Sequence, residues 1–315
     1  MTVPAHVYRR RRATAGAVLV AVVVGAVLLL GAGGGDDPPP SAPAPEGEAA
    51  QAPPPPQLPR GGRVVLPDHR VVAFYGAPQS PELGILGIGS PARAARRLER
   101  QARPYARDDR PVLPALELIA VIAAAHPGED GMYRTRQEDA VIRRYLRAAR
   151  RARALLLLDI QPGRSDFFTE TTRLEKWLRE PDVGLALDPE WRMAPGEVPG
   201  DVIGQVSARE VNATSAWLDQ LTAREGLPQK LLVVHQFTDD MVDERRLKAR
   251  DNLAIALNAD GFGGRAVKRA KYHEFTRQES GFHNGFKLFY EEDEDLMAPR
   301  DVMRLRPRPD LLVYE

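Results

Sequence analysis

Residues 183–191 read Val-Gly-Leu-Ala-Leu-Asp-Pro-Glu-Trp. The stretch opens as a short apolar run and closes on two acids and an aromatic. An apolar run of this length, ended by turn residues, reads as a buried strand. Side chains two apart on a strand share a face, so Asp188 and Glu190 are expected to project together from its end. Paired carboxylates repel one another, and such pairs concentrate where a proton is moved or a cation held. The plainer alternative is a strand end whose acids cap the following turn.

Working outward, further apolar runs of the same form lie at 71–75, 112–119, 155–160, 202–206, 231–235, 253–257 and 286–290. Helix-like segments separate most of them. Residues 91–101 follow Ser90, a good N-cap, with Pro91 at the first helical position. Residues 137–153 place Ala140, Val141, Tyr145, Leu146 and Ala149 on one face. Residues 170–179, 208–225, 240–250 and 299–305 complete the set. Alternating strands and helices predict a parallel sheet. Eight such units in a body of roughly 250 residues predict an α/β fold, a (β/α)8 TIM-like barrel over 63–315. Residues 191–201 leave no room for a helix, 261–285 are long and glycine-rich, and 311–314 could add a strand.

Upstream, residues 1–12 form a basic tail with four arginines at 9–12. Residues 13–32 hold an uncharged apolar run, long enough for a transmembrane helix or signal anchor. Arginines before such a helix keep the N-terminus cytoplasmic and export the rest. The competing reading is a cleaved signal peptide, which would leave the barrel secreted. Residues 33–62 are rich in Pro, Gly and Ala and are expected to be a disordered linker. The net charge of +1 gives no reason to expect nucleic acid as a partner. The absence of cysteine excludes disulfides, thiolate zinc sites and thiol nucleophiles.

Active sites of such barrels lie at the C-terminal strand ends. Glu117, Asp159, Asp188 and Glu190 fall there on the second, third and fourth runs and are the candidate catalytic residues. Tyr75, Gln161, Trp191, His235, Gln236 and Asp260 also fall at run ends and are candidate substrate contacts. Carboxylates beside aromatic platforms suit sugar rings, because acids act at the glycosidic bond and aromatics pack on the apolar sugar face. The polar loop 126–131 could cover the barrel mouth. The arginines of 91–101 and 137–153 read as solvated outer faces, with contact to an anionic wall polymer as a second reading.

Residues 72–75, Val-Ala-Phe-Tyr, and Asp188-Pro189-Glu190 resemble parts of the family-18 glycoside hydrolase barrels and their relatives. That family's fourth strand carries Asp-x-x-Asp-x-Asp-x-Glu. Asp188 matches its last aspartate and Glu190 its glutamate, while Val183 and Ala186 stand at the two earlier aspartates. The chain also resembles exported barrel proteins of actinobacteria. The resemblance implies Glu190 as general acid and Asp188 as the residue positioning a substrate acetamido group. The expectation is thus a membrane-anchored extracellular barrel acting on cell-wall or environmental polysaccharide, with no cofactor. Two alternatives stand beside it. One is a non-catalytic barrel that binds glycan or a partner protein. The other is a hydrolase or isomerase holding a divalent metal through Glu117, Asp159, Asp188, Glu190 and His235.

Overall fold

The computed structural model describes residues 54–276 and 281–315. β1 (Arg70–Gly76) pairs in parallel with β2 (Val112–Ala123), and β2 in turn with β4 (Leu155–Ile160). The sheet continues through β5 (Val183–Leu187), β6 (Lys230–Gln236), β7 (Leu253–Ala259), β8 (His283–Leu288) and β9 (Leu311–Tyr314). β9 pairs back onto β1, so these strands close on themselves. Eight parallel strands make the circuit, which is a TIM-type barrel. A short antiparallel strand, β3 (Arg134–Arg136), hangs on the end of β2 outside the circuit.

Strand alternation divides the core into two layers. Val72, Phe74, Leu116, Leu118, Leu156 and Leu158 point outward to the helices. Val71, Ala73, Leu113, Ala115, Leu155 and Leu157 fill the barrel interior. Both faces of a parallel sheet are covered in this way, which is why its strands read as continuous apolar runs. The helices start where the local chemistry favours them. In α1 (Pro91–Ala102) the Ser90 hydroxyl accepts from Arg93 N at 3.3 Å, and Ala94, Ala95, Leu98 and Ala102 face the sheet. α2 (Asp139–Arg151) buries Ile142, Tyr145, Leu146 and Ala149. α3 (Phe167–Arg173) is capped by Asp166, and α4 (Glu175–Leu178) follows it. α5 (Ala208–Arg224) is capped by Ser207. α6 (Arg265–Phe275) and α7 (Pro299–Val302) complete the ring.

Several expectations change. Residues 202–206 are not a strand. Their Val202 and Ile203 are 36% and 38% exposed, so the run is not buried, and Gly204 lies against the preceding turn. Gly204 N donates to Glu190 O at 2.7 Å, and a Cβ there would lie 2.4 Å from Arg192 O. The eighth barrel strand is instead Leu311–Tyr314. Residues 240–250 hold a single 3-10 turn, Glu244–Arg246, in place of a helix. A full helix, α6, occupies part of the glycine-rich 261–285 segment. The transmembrane helix expected at 13–32 lies outside the described residues; no described helix is long and apolar enough to cross a membrane.

Candidate active site

Each barrel strand brings an inward-facing polar side chain to its C-terminal end. They are Tyr75 on β1, Glu117 on β2, Asp159 on β4, Asp188 just past β5, His235 on β6, Asn258 and Asp260 on and past β7, Lys287 on β8, and Glu315 just past β9. The interior is apolar below this level and polar at it. Period-two alternation places them, since each follows an inward apolar residue two positions earlier or continues that series.

His235 sits at the centre. Its Nε2 lies 2.8 Å from Glu117 Oε1, and its Nδ1 lies 3.2 Å from Asp260 Oδ2 and 3.2 Å from Asn258 Nδ2. Burial alone would hold the imidazole neutral, and so would the Lys287 charge. Glu117 and Asp260 outweigh both and raise its pKa well above the usual histidine value. Lys287 Nζ donates to Asp260 Oδ2 at 2.9 Å, pairs with Glu315 Oε2 at 2.8 Å, and lies 4.0 Å from the centre of the Tyr75 ring. On the other side, Tyr75 OH donates to Asp159 Oδ2 at 3.3 Å and accepts from Gln161 Nε2 at 2.9 Å. Gln161 Oε1 is itself fixed by Ala123 N. Burial, followed by repulsion from Asp188, pushes the Asp159 carboxyl well above its usual range. Burial, then Asp159 and Asp188, push the Tyr75 hydroxyl up as well.

A cleft opens over this network. Tyr75, Gln161, Asp188, Trp191, Lys287 and Glu315 line it, with His126 from the β2–β3 connection at its edge. The free space is about 80 Å³, below the range of about 300–1,000 Å³ typical of ligand pockets. A ligand of ordinary size fits only if the cleft widens.

The structure gathers most of the sequence-derived candidates and separates two. Gln236 alternates with His235 and faces the helix layer, where it hydrogen-bonds to Glu244. Glu190 does not share a face with Asp188 on a strand. β5 ends at Leu187, and Pro189–Trp191 form a 3-10 turn in which Glu190 is buried and is not among the residues lining the cleft. Lys287 and Glu315 belong to the network although the sequence did not single them out, and Asn258 joins it from the end of the seventh run. The signal for Lys287 was a lone cation inside the apolar run Gly-Phe-Lys-Leu-Phe at 285–289, which must find a buried counter-charge.

No family model matches the chain, and no curated protein matches it. Ten solved chains do. Among them is a Xanthomonas albilineans dihydropteroate synthase with 4-aminobenzoic acid, 13% identical, at a TM-score of 0.33 over 79% of this chain and 88% of that one. A likeness of that degree carries no statement about activity. The chemistry rests on the site itself. There, four inward carboxylates (Glu117, Asp188, Asp260, Glu315), beside the raised Asp159 carboxyl, face two cations, His235 and Lys287. Such a site disfavours anionic substrates and stabilises positive charge. Asp159 also joins Glu117 and His235 in a group whose possible ligand atoms all lie within 4.8 Å of one another.

Proposed function

We propose that the chain is an exported, membrane-anchored glycoside-hydrolase-like barrel that cleaves a neutral glycan of the cell wall or surroundings. The carboxylate surplus beneath the cleft carries this reading. Glycosidic cleavage passes through an oxocarbenium-like cation, which such a surplus stabilises, and it needs one protonated and one ionised acid. Asp159, held protonated, is hydrogen-bonded to Tyr75 OH, and Tyr75 lines the cleft. The Tyr75 hydroxyl, which donates to Asp159 Oδ2 at rest, turns to the leaving oxygen when substrate is bound and accepts from the Asp159 carboxyl in its place, so that Tyr75 gives its proton to the leaving oxygen as Asp159 gives its own to Tyr75. Asp188 lines the same cleft and takes the proton of the attacking water. Trp191 offers the apolar platform. This differs from the family-18 assignment, in which Glu190 is the acid.

The test is release of reducing ends from a panel of neutral polysaccharides. Asp188→Asn is expected to lose about 10²–10⁴-fold in kcat, the usual worth of acid–base participation. Glu190→Gln is expected to stay within a few fold, both variants being checked for folding by thermal melting. Loss in Glu190→Gln with activity kept in Asp188→Asn would restore the family-18 assignment. Glycan binding without turnover by the wild-type chain would make this a non-catalytic barrel.

A second reading rests on the Glu117, Asp159 and His235 cluster. Asp260 on Nδ1 orients the His235 ring so that Nε2 points at Glu117, the arrangement in which a carboxylate fixes a metal-ligating histidine. Zinc or manganese would suit one imidazole and two carboxylates. This reading expects about one metal per chain after loading and dialysis, lost in His235→Ala; a metal content indistinguishable between the two proteins eliminates it.

A further inference from the structure

A second concavity lies outside the barrel, between α1 and α2, with a volume of about 810 Å³. Ala95 and Ala148 belong to its floor, and Arg96, Arg151, Arg153 and Arg60 to its lining. Among the described residues Arg93 and Arg147, outside the groove, are as unengaged as Arg96 and Arg151 within it, and most other arginines of the two helices are taken up. Arg97 stacks on Tyr290 at 4.7 Å, Arg143 lies over Trp177, and Arg150 is bound to Glu180 and Asp182. Arg60 is likewise spent, on Glu99 and on the carbonyls of Arg153 and Val112. The guanidinium groups of Arg96 and Arg151 have no ion pair or hydrogen bond among the described residues, and of Arg153 only Nε is engaged, with Pro59 O. Arg153 also holds φ 51° just past the end of α2, a position glycine or asparagine fills without strain. The one acid of the groove, Glu99, is neutralised by Arg60.

From this we propose that the α1–α2 groove binds a phosphate-bearing polymer strand. Guanidinium groups match phosphate oxygens bidentately, and the small alanine floor lets a chain lie close to both helices. The groove is concave, so it fits a strand and not a planar layer of lipid headgroups. The site is separate from the acid-rich cleft and does not depend on the activity proposed for it: the barrel would dock on an anionic polymer through its flank and offer its mouth to a neutral one.

The probe is a short linear polyphosphate labelled at one end, followed by fluorescence anisotropy at several salt concentrations. Wild-type protein is expected to bind with an affinity that falls as salt rises. Arg96→Ala with Arg151→Ala should weaken binding about tenfold or more and reduce the salt slope by about 1 to 2, one per lost phosphate contact. Arg245→Ala with Arg246→Ala, two exposed arginines already paired with Asp243, should change it less than about twofold on the same counting. Equal loss in both double variants would mean a diffuse charge effect and overturn the proposal. So would equal affinity for polyglutamate, or binding to phosphatidylglycerol vesicles with none to polyphosphate. Melting curves of each variant separate loss of binding from loss of fold.

Discussion

His235 is the residue on which the mouth of the barrel depends electrostatically. It is buried, yet Glu117 and Asp260 raise its pKa above the unfolded value near 6.5. The folded chain then keeps a proton that the unfolded chain releases as pH rises past about 6.5. Stability from this group is complete below that pH and is lost as pH climbs toward the folded pKa, at up to about 1.4 kcal/mol per pH unit. Comparison with His235→Asn isolates it. Lys230, lowered by burial to about 7, and Lys268, lowered by burial to about 8, act in the opposite sense above those values, but they are common to both proteins. The difference in unfolding free energy between wild type and variant should therefore shrink from pH 6 to pH 8. A difference that stays flat over that range would show that the imidazole does not hold its proton against burial.

At the scale of the element, the β2–β3 hairpin forms one wall of the cleft. β2 runs 12 residues, past the level where the barrel ends, and its connection brings His126 to the cleft edge. Two arginines moor the arm. Arg134 Nε and Arg136 Nε reach the two oxygens of Glu170 on α3 at 2.9 and 2.6 Å, and Glu170 is fully buried. Glu170→Ala leaves the buried Arg134 with only the half-exposed Asp130, 2.7 Å from its guanidinium, and is expected to cost about 3 kcal/mol in urea unfolding, as for broken buried pairs. If the arm gates substrate entry, the same variant lowers KM or raises kcat on any substrate found. A cost under about 1 kcal/mol would class the bridge with exposed surface pairs. The hairpin also shows where sequence reasoning stops. Burial periodicity made β1, β2, β4, β5, β6 and β7 legible, and β8 in its last three residues, because a buried strand is a continuous apolar run. It misread 202–206, since an apolar run looks the same whether or not neighbours cover it. It passed over β3, whose Arg-Thr-Arg has no apolar run to mark it and whose arginines are matched by the buried Glu170, far away in sequence. The acids at 117, 159 and 188 were visible as polar ends of apolar runs. The ion pairs of Lys287 with Asp260 and Glu315 were not, because they depend on the register in which β8 pairs between β7 and β9.

For the whole molecule, closure leaves two open ends, and the two are treated differently. The C-terminal end carries the polar network. The N-terminal end is sealed by the segment leading into β1. Leu58, Val65 and Leu66 are at most 4% exposed and pack into the interior apolar cluster with Leu113, Leu155 and Leu231. Polar contacts hold the segment in place: Val65 N and Leu66 N both donate to Gln229 Oε1, Arg63 donates to the carbonyls of Gly226 and Leu227, and Arg60 reaches the ends of β2 and α1. The folded body thus begins upstream of Arg63, within the stretch whose composition reads as linker. Burying three such side chains is worth about 1.5–3 kcal/mol each, so the seal supplies about 5 kcal/mol or more, a large share of the stability of an ordinary domain. A chain beginning at Pro54 should unfold in urea at the same midpoint as a chain beginning at Gly33. A chain beginning at Pro67 should unfold at a far lower midpoint or fail to fold, because the floor of the barrel is opened to water while the mouth, with its buried charges, has no apolar surplus to compensate. Equal midpoints for the chains beginning at Pro54 and Pro67 would mean that Leu113, Leu155 and Leu231 close the floor unaided and that the segment only rests against them.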